Sequence, residues 1–222
     1  MSTRPYVLQS VAASLDGYID DATPERLLLS NDEDFDRVDE VRASVDAILV
    51  GANTIRADNP RLMVRSDERR AKRVANGLEE SPARVTITAS GQVDPSAKFF
   101  TTGETERIVY TTAAGVGALS DLNATVVDLG EAVTPEALLD DLGVRGVQRL
   151  MVEGGGSIHT MFLSAGLVDE LHIVFAPFLV GQDAAPRFVN PATFPQDSHH
   201  RMTLAEAKVI GDCVLLRYLP AR

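Results

Sequence analysis

Cysteine occurs once in this 222-residue chain, tryptophan is absent, and only 5% of the residues are aromatic. A single cysteine leaves no intramolecular disulfide and no zinc site built from several thiolates. Cys213 precedes Val214, Leu215 and Leu216, which predicts a buried strand thiol in place of a reactive one. Positive charge is also scarce: 21 Lys and Arg stand against 32 Asp and Glu, for a formal net charge of -11. That balance argues against a dedicated nucleic-acid binder, whose footprint is a basic surface. An anionic ligand would need a local cationic cluster and backbone N–H groups. No apolar run approaches the ~20 residues that span a bilayer. The opening MSTRPYVLQS lacks the apolar core of a secretory signal. A cytoplasmic protein that binds neither membrane nor nucleic acid is expected.

Several catalytic signatures are missing too. There is no G-x-S-x-G elbow, no G-x-x-x-x-G-K-[ST] loop and no H-x-E with P-C-x-x-C deaminase pattern. His159, His172, His199 and His200 have no metal-ligand spacing, so no metal site is expected. His172 alternates with Leu171 and Ile173 as a structural strand histidine, and His199-His200 sits in a polar, exposed loop. The common dinucleotide fingerprint fails as well. It needs an acidic residue at the end of the next strand, and here that strand runs out in Phe175-Ala176-Pro177.

What is present is a chain with 45% hydrophobic residues, enough for a sizeable core. Strand-like runs at 6–13, 46–50, 84–88, 107–111, 124–128, 149–152 and 169–175 alternate with helical patterns at 31–44, 113–119, 135–142 and 157–165. This predicts an α/β fold, three-layered, with a mixed, mostly parallel central sheet, in one domain over residues 1–222. Residues 207–219 break the rhythm with a hairpin turning at Gly211-Asp212, an antiparallel edge. The polar stretch 66–82 reads as an exposed helix or a flap that orders on binding.

The strongest local signal is Leu150-Met151-Val152-Glu153-Gly154-Gly155-Gly156-Ser157, a strand running into three glycines and then a helix whose stripe is Ile158, Met161, Phe162 and Ala165. Glycines admit a ligand close to the backbone, and the N–H groups of the new helix attract an anion, typically a phosphate. Glu153 falls at the carboxyl end of its strand, where open α/β sheets bind ligands. A second signal follows the buried strand 47–50: Gly51-Ala52-Asn53-Thr54-Ile55-Arg56-Ala57-Asp58-Asn59-Pro60-Arg61-Leu62-Met63-Val64-Arg65. Its arginines suit a phosphate clamp or a solvated face, and for Arg69–Arg73 the solvated face is the expectation. Thr54 and Asp58 could be a helix cap and a turn residue. Arg42 lies seven residues after Phe35 on the stripe with Val38, either meeting the helix dipole or facing a cleft. Asp16-Gly17 reads as a tight turn.

Together these pieces resemble the reductase of riboflavin biosynthesis, which shares its fold with dihydrofolate reductase. Four blocks carry the resemblance in order: Ala13-Ser14-Leu15-Asp16-Gly17; Val50 to Thr54 running through Asp58-Asn59-Pro60-Arg61-Leu62; Val152 to Gly156; and Gly166 to Leu171 with Ala176-Pro177 and Gly181. The resemblance implies NADPH-dependent reduction of the ribosyl group of a phosphorylated ribosylaminopyrimidine to ribityl, in a stand-alone homodimer. By position it makes Ala13, Thr54, Asp58, Ser90, Gly155, Gly156, Ser157 and Ile158 cofactor contacts. Arg42, Leu62, Arg65 and Glu153 become substrate contacts, with Arg65 and Arg42 near the phosphate. Glu153 and Asp58 are the candidate catalytic carboxylates. Glu153 would act as a proton donor if burial raised its pKa, and otherwise would hold the pyrimidine. Ser10 stands where bifunctional bacterial members often carry lysine, so one cation near the ring or ribose is missing. The family also includes relatives with dihydrofolate reductase-like activity, and a nucleotide-binding protein without chemistry is the non-enzyme alternative.

Overall fold

The computed structural model describes residues 4–23, 25 and 27–221. Nine strands hydrogen-bond in the order β5-β4-β3-β2-β6-β1-β7-β9-β8. They are β1 (Tyr6–Ser14), β2 (Ala47–Gly51), β3 (Ala83–Thr88), β4 (Arg107–Thr111), β5 (Thr125–Asp128), β6 (Arg149–Gly154), β7 (Glu170–Ala176), β8 (Thr203–Ile210) and β9 (Cys213–Leu219). The pairs β2–β3, β3–β4, β4–β5 and β1–β7 are parallel, whereas β7–β9 and β9–β8 are antiparallel. The expected α/β class with a mixed, mostly parallel sheet is what the chain adopts. The helices are α1 (Asp32–Ala43), α2 (Ala52–Asp58), α3 (Asp67–Ala75), α4 (Lys98–Thr101), α5 (Pro135–Val144) and α6 (Gly156–Ser164).

The chain gathers into two compact units. One holds Tyr6 and Asp39–Met151; the other holds Val7–Val38 and the chain from Val152 onward. In the first, β2 is buried at every position, as a parallel strand covered on both faces must be. Helix α5 starts with Thr134, whose Oγ1 accepts the Ala137 N–H at 3.3 Å, and with Pro135 in its first turn, where a missing N–H costs nothing. It buries Leu138, Leu139 and Leu142. In the second unit, Gly211 (φ +56°) takes the first central position of the β8–β9 turn, the place that a II′ hairpin gives to glycine. Asn31 serves two elements. Its Oδ1 accepts the Asp34 N–H at 3.0 Å as the N-cap of α1, and its Nδ2 donates to Ile210 O at 2.9 Å.

Some local expectations change. The segment 113–119 forms only a 3-10 turn over Val116–Leu119, because Gly115 and Gly117 weaken a longer helix. Residues 66–82 resolve in favour of the helix, α3, capped by Ser66, whose Oγ accepts the Arg69 N–H. The short α4 carries too few residues to announce itself. In α1 the buried positions are Asp34 and Asp39, and the expected apolar stripe of Phe35 and Val38 is only half-buried. Cys213 is buried at the start of β9, and burial pushes its thiol up to about 11. His172 is satisfied in the second unit, with Nε2 2.8 Å from Glu170 Oε1 and Nδ1 3.2 Å from Arg37 Nη1.

Candidate active site

Strand β6 runs two residues past its expected end, so Glu153, half-buried, and Gly154 are its last members. Gly154 lies at φ +138°, a conformation that side chains resist, and its peptide bond to Gly155 is cis. Gly155 is the N-cap of α6. No side chain caps this helix and no acidic residue stands in its first turn. Helices α1, α3 and α5, by contrast, have side-chain caps from Asn31, Ser66 and Thr134. Acidic residues also fill their first turns. The partial positive charge at the start of α6 is therefore met by neither a side-chain cap nor a first-turn acid. Such a helix start suits the phosphates of a nicotinamide cofactor, and Gly155, Gly156 and Ser157 would hold them, whereas the N–H of Ile158 donates to Gly155 O at 2.9 Å.

Gly156 could not be another residue without movement, since a Cβ there would collide with the carbonyl oxygen of Arg187. The 187–190 loop is tied to the same helix. The Asn190 N–H donates to Thr160 Oγ1 at 2.8 Å and its Nδ2 to Ser157 Oγ at 3.4 Å. Ser157 is exposed and Ile158 buried. His159 lies wholly inside with neither ring nitrogen hydrogen-bonded among the described residues, and burial pushes its pKa down to about 4, so the ring is neutral.

In the same unit, Ala13 is fully buried near the end of β1, opposite Phe175. The Asp16-Gly17 turn forms as expected, with the Gly17 N–H donating to Ser14 O at 2.9 Å. The Asp16 carboxylate does more than the turn requires. It accepts the Ser14 hydroxyl at 2.5 Å and the N–H groups of Val180 at 3.1 Å and Gly181 at 2.8 Å. These donors, the Ser14 hydroxyl first, hold its pKa below the usual value. Arg187 clamps the turn from the other side. Its guanidinium sits 4.2 Å from the Tyr18 ring centroid and donates to Asp16 O at 3.1 Å and Tyr18 Oη at 2.8 Å.

The arginine loop belongs to the first unit. Thr54 and Asp58 are neither cap nor turn: both lie inside α2, with Thr54 half-buried in the first turn and Asp58 exposed at the last position. The run after a buried strand is long enough to close one helical turn before Pro60, and Asn59 (φ +44°) ends it. Leu62 is buried with φ +51°, a conformation that non-glycine residues adopt only when their surroundings impose it. Arg42 reaches the same loop, its Nη1 3.4 Å from Met63 O. Arg65 is exposed, and its backbone N–H donates to Asp39 Oδ1 at 2.5 Å.

The solvated face with salt bridges expected for Arg69–Arg73 forms in part: Arg69 pairs with Asp39 and Arg70 with Asp67 and Glu80, but Arg73 is buried. Arg69 donates to Asp39 Oδ2 at 3.0 Å, and Arg70 to the carbonyls of Val64 at 3.2 Å and Arg65 at 2.9 Å. Arg73 is buried and donates to Glu79 O, Ala43 O and Val45 O at 2.8, 3.0 and 2.8 Å. A guanidinium carries five donors in a fork, which lets it satisfy several carbonyls where the backbone forms no ladder. Ser90 is exposed after β3, its Oγ accepting the Gln92 N–H at 3.4 Å, and Arg56 of α2 donates to Gln92 O at 2.8 Å.

Leu62 and Arg65 thus lie on one loop beyond α2, which Arg42 reaches from α1, with Thr54 and Asp58 on α2. Glu153 and Gly155 to Ile158 form a separate cluster in the other unit, which also contains Ala13. Sequence patterns missed Asp39, Ser81, Arg187 and Asn190, which hold these pieces. Only Asp39 left a trace, as an acid on the stripe of Phe35 and Arg42.

The profile of the RibD C-terminal domain family matches residues 5–216. A 2,5-diamino-6-ribosylamino-4(3H)-pyrimidinone 5′-phosphate reductase of Archaeoglobus fulgidus is 39% identical over 194 residues, covering 86% of this chain and 89% of that protein. A protein of the same name from Methanothermobacter thermautotrophicus is 32% identical over 219 residues, covering 97% and 98%. Among solved structures, RibD of Acinetobacter baumannii matches with a TM-score of 0.81 at 26% identity, over 99% of this chain and 59% of that longer one. The sheet and helices described above are accordingly of the dihydrofolate reductase-like kind expected from the sequence. The chain belongs to the RibD C-terminal domain family.

Proposed function

We propose that this protein reduces the ribosyl group of 2,5-diamino-6-ribosylamino-4(3H)-pyrimidinone 5′-phosphate to ribityl, with NADPH as the reductant. The observation that carries the proposal is the start of α6. It is a glycine turn with no cap and no acid, in a chain 39% identical to a protein named for this reaction. The non-deaminated pyrimidine is preferred because the names of the Archaeoglobus and Methanothermobacter relatives specify it. When bound, the cofactor supplies a hydride for C1′ of the ring-opened sugar.

The chain's own part is binding and orientation. The N–H groups of Gly155, Gly156 and Ser157 hold cofactor phosphates, while the Ile158 N–H closes the first turn on Gly155 O at 2.9 Å, and Ile158, Ala13, Thr54, Asp58 and Ser90 are further cofactor contacts. Ser90 is the residue assigned to the choice of NADPH over NADH. Arg65 and Arg42 bind the substrate phosphate, and Leu62 packs against the substrate. Glu153 accepts hydrogen bonds from the pyrimidine. This holding role suits a half-buried carboxylate at the carboxyl end of β6. Asp58, exposed at the end of α2, is the other carboxylate assigned to the reaction.

A homodimer in the cytoplasm belongs to the same proposal. Seven of the eight β8 residues are exposed, and Ala207 and Val209 pair with Leu216 and Val214 of β9, an apolar stretch suited to a second copy. Light scattering on the intact protein and on Val209→Asp checks this, with a dimer expected for the first and a monomer for the second. Activity is tested by following NADPH oxidation with the diaminopyrimidinone phosphate, its deaminated form and dihydrofolate in parallel. Turnover of the diaminopyrimidinone is expected. Silence on both pyrimidines with turnover of dihydrofolate would overturn the proposal.

A further inference from the structure

The segment Met63–Ser66 belongs to no helix or strand, yet side chains hold its backbone almost group by group. Met63 O accepts from Arg42 (3.4 Å), the Val64 N–H donates to Ser81 Oγ (3.0 Å), and Val64 O and Arg65 O accept from Arg70 (3.2 and 2.9 Å). The N–H groups of Arg65 and Ser66 donate to the two oxygens of Asp39, at 2.5 and 3.1 Å. Just before this segment, Leu62 is buried at positive φ. Irregular loops commonly give their backbone groups to water. Here the loop is built to hold one shape, and Asp39 lies at its centre: a carboxylate only 3% exposed, on the penultimate turn of α1, bonded to two loop N–H groups and to Arg69.

We infer that Asp39 is a positioning residue for the substrate phosphate: by fixing the backbone at Arg65 and Ser66, it aims the Arg65 guanidinium before substrate arrives. The inference rests on the assignment of Arg65 as a phosphate contact. Two physical points support it. An arginine side chain loses much rotamer freedom on ordering, so a backbone fixed in advance lowers the cost of binding. A carboxylate accepting two backbone N–H groups is also a strong anchor, because charge-assisted hydrogen bonds are about twice as strong as neutral ones. Burial alone would raise the Asp39 pKa, but the N–H groups of Arg65 and Ser66 and the Arg69 guanidinium outweigh it and hold the group ionised.

The test compares Asp39→Asn, Arg65→Ala and the double variant, each assayed with the diaminopyrimidinone 5′-phosphate and with its phosphate-free counterpart. Asp39→Asn should raise KM for the phosphorylated substrate about tenfold, the size of losing one or two such hydrogen bonds. It should leave kcat and the KM for NADPH nearly unchanged, and it should not affect the phosphate-free substrate. In the Arg65→Ala background the same change should add nothing further. If Arg65→Ala does not weaken the phosphorylated substrate, the assignment of Arg65 fails and the inference falls with it. If Arg65→Ala weakens it but the two changes multiply, or if Asp39→Asn lowers kcat for both substrates alike, Arg65 stands and the positioning role is overturned. Should the Asp39 variants not fold, amide hydrogen exchange on the unaltered protein decides the matter. Arg65 and Ser66 amides should exchange as slowly as those of α1, and exchange at the rate of an exposed loop overturns the inference.

Discussion

The glycine turn at 153–157 and the arginine loop at 59–66 are both assigned to an anion in the proposed function, and they are built in opposite ways. The turn offers backbone. Its glycines remove side chains so that N–H groups at the start of α6 stand clear, and no cap or acid competes for them. The loop offers side chains. Its backbone is immobilised by Asp39, Arg42, Arg70 and Ser81 so that Arg65 can be aimed. A backbone-built site tolerates almost no added volume, whereas a side-chain-built site tolerates volume but depends on distant partners. Each half of the comparison can be broken by a different kind of substitution.

The largest effect is expected at the turn. In Gly156→Ala the new Cβ meets the Arg187 carbonyl, and neither backbone can yield without displacing the start of α6. Displacements of about 1 Å at a positioning element cost on the order of 100-fold in rate. Calorimetry should show NADPH affinity falling at least as far, with circular dichroism unchanged. Retention of full affinity would mean that the cofactor does not use this turn.

Next comes the loop's support. Ser81→Ala removes the acceptor of the buried Val64 N–H, which should destabilise the protein by roughly 1–3 kcal/mol. Denaturant unfolding measures that directly. The sharper outcome is kinetic: KM for the phosphorylated substrate should rise while affinity for NADPH stays as it was. A loss confined to stability would show that the loop is held for folding alone.

These two regions also show what a sequence discloses. The turn was legible because its chemistry is local: a buried strand, three glycines and a helical stripe are contiguous, and each residue type has one conformational meaning. The parallel strands were legible for the same reason, as was the Gly211-Asp212 hairpin. The loop's arginines could be counted but not sorted. Arg73 ends buried on three carbonyls, Arg69 holds the Asp39 carboxylate, Arg70 holds backbone carbonyls, and Arg65 is exposed. Sorting them requires Asp39, 26 residues before Arg65 in the chain, and composition carries no record of such a pairing. Asp34 and Asp39 show the same limit, for an acid on a helix reads as solvent-facing unless its partner is known.

Acid should loosen the loop before it touches the turn. The Asp39 pKa is lowered in the folded protein below the ordinary value of an Asp side chain, because its burial is outweighed by the bonds from Arg65, Ser66 and Arg69. Its contribution to stability is therefore fully present above that value and is lost as pH falls through the folded-state pKa. Between pH 7 and pH 5 the loop should be unchanged, and the protection of the Arg65 and Ser66 amides, relative to their intrinsic exchange rates, should fall only below about pH 4. The turn carries no comparable carboxylate cap, so Ile158 and His159 amides should keep their protection over the same range. Protection that falls together in both regions would mean that acid unfolds the whole protein and that Asp39 has no separate effect.

The smallest effect is expected where neither kind of site exists. Helix α5 begins with the ordinary devices: Thr134 caps the Ala137 N–H, Pro135 opens the first turn and Glu136 stands at the positive end. Thr134→Ala should cost about 1 kcal/mol of stability, the usual value of a lost hydroxyl cap. It should leave KM and kcat for both ligands unchanged. The control has force because α5 and α6 both follow an extended residue, and the first N–H groups of α5 have a side-chain cap that those of α6 lack. Adding a cap to α6 by Gly155→Ser tests the converse. A side-chain oxygen there would compete for the N–H groups assigned to cofactor phosphates and so weaken NADPH binding, even if the serine strengthens the helix itself. An unchanged NADPH affinity in Gly155→Ser, beside an intact fold, would show that the missing cap on α6 has nothing to do with the ligand.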